Sequence, residues 1–219
     1  MSEIRIRYKT VEFKKHDIHL RCLRDKQEFF DPLGEAEALG ISSAQWSLFG
    51  VVWPSSKVLA YLMQSYDIEG KRILEVGCGL GLSSLLINAR NGDITATDYH
   101  PEVGNFLAKN VTLNLGEDIP FLRTDWRDEN VGLGKFDLII GSDLLYERDH
   151  IELLSNFIDN HTNPEAEVII VDPGRSMHAR FSKKMVELGY SFEQFKPVIS
   201  DEELSNEFTG FALKYKRLQ

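Results

Sequence analysis

The chemistry in this sequence concentrates in "LEVGCGLGLSS", residues 74–84, where Gly77, Gly79 and Gly81 follow an apolar run and a single acid, Glu75. Glycines at alternate positions carry no Cβ, so the backbone there can pass close to a bound nucleotide-like ligand. A second acid, Asp98 in "TATDYHP", stands 23 positions after Glu75. An acid about 20 residues beyond a glycine loop is spaced to accept hydrogen bonds from ribose hydroxyls. Dinucleotides and nucleosides both carry ribose, so Asp98 does not choose between them. The dinucleotide fingerprint Gly-x-Gly-x-x-Gly would place its last glycine on Leu82, and so it is not met. Glu75 bears on the choice, because a carboxylate just before the glycines repels a pyrophosphate and favours a cationic ligand. The bland alternative is a glycine-rich turn with no ligand.

Such residues need strand ends and helix starts to hold them. Strands are expected at residues 72–76, 93–97, 120–124, 136–141 and 167–171. Helical runs between them carry Leu82, Leu85 and Leu86, then Val103, Phe106 and Leu107, then Ile151, Leu154, Phe157 and Ile158. A further helix carries Met177, Phe181 and Met185, and Pro54 suits the start of one over Val58, Leu59, Leu62 and Met63. This alternation predicts an α/β fold with a parallel sheet covered on both faces. Pro120 opens the third of these strands, which suits a sheet edge. Residues 190–199 and 208–217 read as two strands with no helix between, closing the sheet in an antiparallel hairpin.

Ahead of this pattern, residues 3–13 and 16–23 alternate apolar and polar side chains, which predicts an N-terminal β-hairpin. Residues 24–50 hold the turn-like "DPLG" and "LGISS". The expected division is an extension over residues 1–50 and a main domain over 51–219.

Composition narrows the classes. The chain has 219 residues, 42% of them hydrophobic, and a formal charge of −9. That length suits one domain with a short appendage. No run approaches the roughly 20 apolar residues of a membrane span, and "MSEIRIRYKT" lacks the apolar centre of a signal peptide. The two cysteines, Cys22 and Cys78, are not in metal-ligand spacing. A reduced cytoplasmic setting with no membrane partner is therefore expected. The acidic balance argues against a nucleic-acid partner, which is held through Lys and Arg contacts to phosphate. Oligomeric state is not legible.

Taken together, "EVGCGLG" and Asp98 resemble the first motif and the ribose-binding acid of the seven-β-strand, S-adenosylmethionine-dependent methyltransferases, and "TDW" at 124–126 resembles their adenine-flanking segment. "VVWPSSKVLAYL" and "SDLLYE" are similar to the Trp-Pro stretch and the Asp-x-x-Tyr signature of the protein-lysine methyltransferase group. The resemblance implies a Rossmann-like, doubly wound seven-stranded sheet and S-adenosylmethionine as cofactor. It places Trp53, Glu75, Gly77, Cys78, Gly79, Gly81, Asp98, Tyr99, Asp125, Trp126 and Ser142 at the cofactor. Asp143 and Tyr146 would face the methyl acceptor, a protein side chain and foremost a lysine amine. No metal is implied.

Plainer roles stay open. Trp53 and Trp126 could be core aromatics, Asp143 the N-cap of the next helix, and Tyr146 a packed ring. His100 reads as a surface or turn residue, and Cys78 as a small side chain that fits its loop. The competing functions are methylation of a small molecule or nucleic acid, a nicotinamide-dependent oxidoreductase, and a non-catalytic binding module. Residues 142–146 read "SDLLY" and not the Asn-Pro-Pro-Tyr loop used on adenine nitrogens. Acceptor choice is expected to lie in residues 26–50 and 172–178.

Overall fold

Every residue from Ile73 to Val76 is buried, the pattern of a parallel strand covered on both faces. The computed structural model describes residues 4–128, 132–199 and 202–218. The elements are strands β1 (Ile6–Glu12), β2 (Asp17–Leu23), β3 (Arg72–Val76), β4 (Asp93–Asp98), β5 (Phe121–Arg123), β6 (Phe136–Ser142), β7 (Thr162–Asp172), β8 (Tyr190–Phe195) and β9 (Phe211–Arg217). The helices are α1 (Glu35–Ala38), α2 (Ser43–Trp46), α3 (Pro54–Met63), α4 (Leu82–Ala89), α5 (Val103–Leu113), α6 (His150–His161), α7 (His178–Glu187) and α8 (Glu202–Glu207).

The main sheet has seven strands in the order β5-β4-β3-β6-β7-β9-β8. All pairs are parallel as far as β7, and β9 runs antiparallel to both β7 and β8. This is the expected Rossmann-like sheet with an antiparallel closing hairpin, and the strand led by Pro120 does lie at its edge. The order reverses between β3 and β6, which opens a crevice at their carboxyl ends. Side chains alternate across the sheet. Ile73, Leu138 and Ile140 join a core built with α3, α4 and α5, whereas Leu74, Val76 and Ile139 join one built with α6 and α7.

Two details depart from the sequence reading. The helix α8 lies between β8 and β9, where none was expected. Strand β7 begins at Thr162 and not near residue 167, with a register shift opposite Phe136 and Leu138.

The N-terminal hairpin forms as expected, pairing Ile6 with Leu23 through Glu12 with Asp17. Glu3, the first residue of the expected run, lies outside the described residues. Ile18, Leu20 and Cys22 point one way and enter the same core as α5. Asn110 of α5 and Asn114, which caps its C-terminus, fasten the hairpin, with Arg21 N donating to Asn110 Oδ1 at 2.7 Å and His19 N to Asn114 Oδ1 at 2.8 Å.

Candidate active site

Above the carboxyl ends of β3, β4 and β6 lies a cleft of about 680 Å³. Its floor is the turn from β3 into α4. Gly77, Gly79 and Gly81 all have positive φ, at 60°, 54° and 74°, a conformation that strains residues with a Cβ. A Cβ on Gly79 would come within 3.1 Å of the Phe49 carbonyl oxygen. Gly81 caps α4 from behind the floor, where a Cβ would strike Leu107, and it does not line the cleft.

Asp98 ends β4 beside this loop. Its Oδ2 accepts from Gly79 N at 2.8 Å and its Oδ1 from His100 N at 2.9 Å. Burial raises the carboxyl above its ordinary value, and the backbone donors of His100, Gly79 and Tyr99 draw it back. Glu75 takes a different place. It is buried in β3, outside the cleft lining, and its Oε2 accepts from the backbone N of Ser84 at 2.9 Å and from the Ser84 hydroxyl. Burial first, against the Ser84 bonds, pushes it to about 7.

The remaining expected cofactor residues, Trp53, Gly77, Cys78, Tyr99, Asp125, Trp126 and Ser142, all line the cleft. Trp53 is fixed by its Nε1, which donates to the Leu48 carbonyl at 2.9 Å, and by Lys26 4.2 Å above its ring. Tyr99 donates to the Leu39 carbonyl at 2.7 Å. The Asp125 backbone N donates to Asp128 Oδ2 at 2.9 Å, which tightens the turn carrying Trp126.

Asp143 and Tyr146, in the segment after β6, also line the cleft. Asp143 is not the N-cap of α6, a place taken by Asp149. It sits at φ 57°, with its backbone N donating to the Val171 carbonyl at 2.9 Å. Non-glycine residues are rare there, though Asp tolerates it better than most. Tyr146 meets His150 edge-on at 4.6 Å, and His150 meets Trp126 edge-on at 5.1 Å, making a continuous aromatic wall. Although 54% of Tyr146 is exposed, loss of water beside the cleft raises its hydroxyl to about 12, helped by the fields of Asp98, Glu147 and Asp143.

Several lining residues were not singled out in the sequence, although Phe49, residues 39–41 and Arg175 fall in the segments, 26–50 and 172–178, expected to bear on acceptor choice. His100 is not on the surface: it is buried and stacked on Phe49 at 4.1 Å, and burial lowers it to about 4. Phe49 and residues 39–41 come from residues 24–50, where the sequence offered only two turn-like stretches, and α2 starts there with a capping box between Ser42 and Gln45. That Ser-x-x-Gln spacing was the available signal. Arg175 also lines the cleft and grips Asp143. Among the described residues no group of three or more His, Cys, Asp or Glu is placed to hold a metal.

The sheet order, the glycine turn and the acid at the tip of the second parallel strand define the Rossmann-like methyltransferase fold. The T. thermophilus 16S rRNA N2 G1207 methyltransferase RsmC, in complex with AdoMet and guanosine, shares it, with a TM-score of 0.69 at 14% identity over 99% of this chain and 52% of that one. The profile of the lysine methyltransferase family matches residues 38–187, and the chain belongs to that family. It is similar to a histidine protein methyltransferase 1 homolog of Dictyostelium discoideum, at 36% identity over 50% of this chain and 38% of the relative. It is also similar to an electron transfer flavoprotein beta subunit lysine methyltransferase of Rattus norvegicus, at 29% identity over 73% of this chain and 61% of the relative. The matches thus span from about two fifths to three fifths of these relatives' length.

Proposed function

We propose that this protein transfers a methyl group from S-adenosylmethionine to a lysine amine of another protein, in the cytoplasm. The observation that carries this reading is one cleft that gathers two sets of groups of different character. Asp98 and the glycine turn come from the ends of β4 and β3, and Asp143 and Tyr146 from the segment after β6.

The donor set fits the cofactor. Asp98 would accept from the ribose hydroxyls, the Gly77–Gly79 backbone gives room for close approach, and Asp125 and Trp126 would flank the adenine. Trp53, Ser142 and Cys78 complete the cavity. Glu75 acts at a distance, ordering the first turn of α4 through Ser84. When bound, the cofactor supplies a methyl already activated on a positively charged sulfur. The protein's task is then positioning and exclusion of water.

A lysine reacts only as the free amine. With an ordinary value near 10.4, about one amine in a thousand or fewer is neutral at pH 7. A less polar channel and a nearby positive charge both lower that value. Asp143 orients the amine through a hydrogen bond, and Tyr146 with His150 walls the channel. Residues 51–219 carry the chemistry, while residues 1–50 bring Phe49 and the rest of one wall.

The deciding experiment incubates the purified protein and labelled S-adenosylmethionine with extract of its source cells, then maps the labelled product. Label on protein lysine, greatly reduced by Asp143→Asn, supports the reading. Label on histidine would move the acceptor to imidazole, as in the name of the Dictyostelium relative. Label confined to RNA or a metabolite would overturn the protein substrate while leaving the cofactor in place.

A further inference from the structure

The carboxylate that orients the amine raises a difficulty, because alone it would hold a lysine as the ammonium ion. The geometry points to Arg175 as the residue that removes the difficulty: we propose that it positions Asp143 and cancels its charge at the acceptor mouth. This rests on the lysine reading above.

Arg175 gives Nε and Nη2 to the same oxygen, Asp143 Oδ1, at 2.9 and 2.7 Å. Among the described residues no donor reaches Oδ2, which leaves it to accept from a substrate amine. The two partners are 32 residues apart in sequence, yet both are pinned to the end of β7. Asp143 N donates to the Val171 carbonyl, and Arg175 N and Gly174 N donate to Asp172 Oδ1 at 2.7 and 2.8 Å. Asp172 is fully buried, so the loop it caps is a firm base for the guanidinium. His178, whose Nδ1 contacts the Arg175 carbonyl, closes the loop from α7.

Other charges face the same mouth. Glu147 and His150 stand on the Tyr146 side. His100, kept neutral by burial, and Asp98, tied to the glycine turn, line the same cleft from the end of β4. Arg127 pairs with Asp125 at 3.0 Å on the rim, and Asp172 lies behind Arg175. The Asp143–Arg175 pair is therefore the local balance that decides whether the amine keeps its proton. With the pair intact, the ammonium loses its proton to water more readily, and Oδ2 aligns the free amine. Arginine suits the place, since its charge does not titrate and its fork fixes direction.

The test is the pH dependence of labelling, from pH 6.5 to 10, of the principal protein labelled in source-cell extract. Wild type, Arg175→Gln, Arg175→Lys and Asp143→Asn are compared. Arg175→Gln should move the acid limb of the rate profile up by about one pH unit, a loss of about tenfold near neutrality that recovers in alkali. Asp143→Asn should move the limb the other way while lowering the plateau. Arg175→Lys should keep the limb near the wild-type position but lose plateau rate, because the charge survives and the fork does not. Equal thermal stabilisation by S-adenosylhomocysteine certifies folding, and if Arg175→Gln does not fold, the Asp143→Asn and Arg175→Lys profiles decide. Uniform loss at all pH values, with every limb in its wild-type place, would overturn the proposal and leave the lysine reading standing. Label on histidine or outside protein would overturn both.

Discussion

Gly79 and Asp98 are joined by a 2.8 Å hydrogen bond from the backbone N of one to the carboxylate Oδ2 of the other. It ties the turn after β3 to the tip of β4, so the acid that would hold ribose is also part of the loop that admits it. A carboxylate fixed in this way needs little ordering when a ligand arrives, and less binding free energy is lost to it.

Asp98→Ala should therefore weaken S-adenosylhomocysteine binding twice over, by removing the acceptor and by loosening the glycine turn. A hydrogen bond to a charged group contributes about 1.5–3 kcal/mol, which corresponds to roughly ten- to a hundredfold in the dissociation constant. Titration calorimetry on both proteins reads this directly. Affinity within twofold of wild type would remove Asp98 from the cofactor site.

Gly79→Ala tests the floor itself. At φ 54° an added Cβ meets backbone strain of about 1–2 kcal/mol. It also comes within 3.1 Å of the Phe49 carbonyl, which as backbone yields less easily than a side-chain tip. The variant should unfold at lower urea and bind S-adenosylhomocysteine more weakly. Gly132→Ala, also at positive φ but with open space around its Cβ, should lose stability alone.

Glu75 makes stability depend on pH in an unusual direction. Its folded value, about 7, lies above the ordinary 4.5, so the folded chain holds this proton more tightly than the unfolded chain. The penalty for ionising it is absent below the ordinary value, grows as pH rises between the two, and is complete above the folded one. Glu75→Gln keeps an acceptor for Ser84 and does not ionise. From pH 5 to pH 8, the cofactor-free variant should gain on wild type by roughly 2–3 kcal/mol in urea unfolding. A constant difference across that range would show that Glu75 is already ionised at pH 5.

The parts of this molecule that could be read in sequence are those where one short segment carries its own constraint. The core strands are near-continuous apolar runs because both sheet faces are covered, and the glycine turn and Asp98 belong to one βαβ unit. The helix α8 was hidden because it is short and has a single apolar side chain, Leu204, which tertiary packing buries completely. Arg175 and Asp143 meet only because β6 and β7 are neighbours in the sheet, which spacing along the chain does not reveal. The stack of His100 on Phe49 likewise joins segments about fifty residues apart, and "TDYHP" read alone suggests only a turn.

Tyr146 offers a separation of ring from hydroxyl. Its ring continues the wall formed by His150 and Trp126, whereas its hydroxyl is raised to about 12 and stays protonated throughout the working range. A protonated phenol has no capacity to take a proton, so under the proposed lysine reading the ring is the part expected to matter. Tyr146→Phe should keep labelling of the protein substrate within about threefold of wild type, since ring packing contributes about 0.5–1.5 kcal/mol and is retained. Tyr146→Ala opens the channel to water and frees His150, and the same rate should fall by at least tenfold with S-adenosylhomocysteine affinity unchanged. If the phenylalanine variant fell as far as the alanine variant, the hydroxyl and not the wall would be the working part, and the acceptor would have to be held through it.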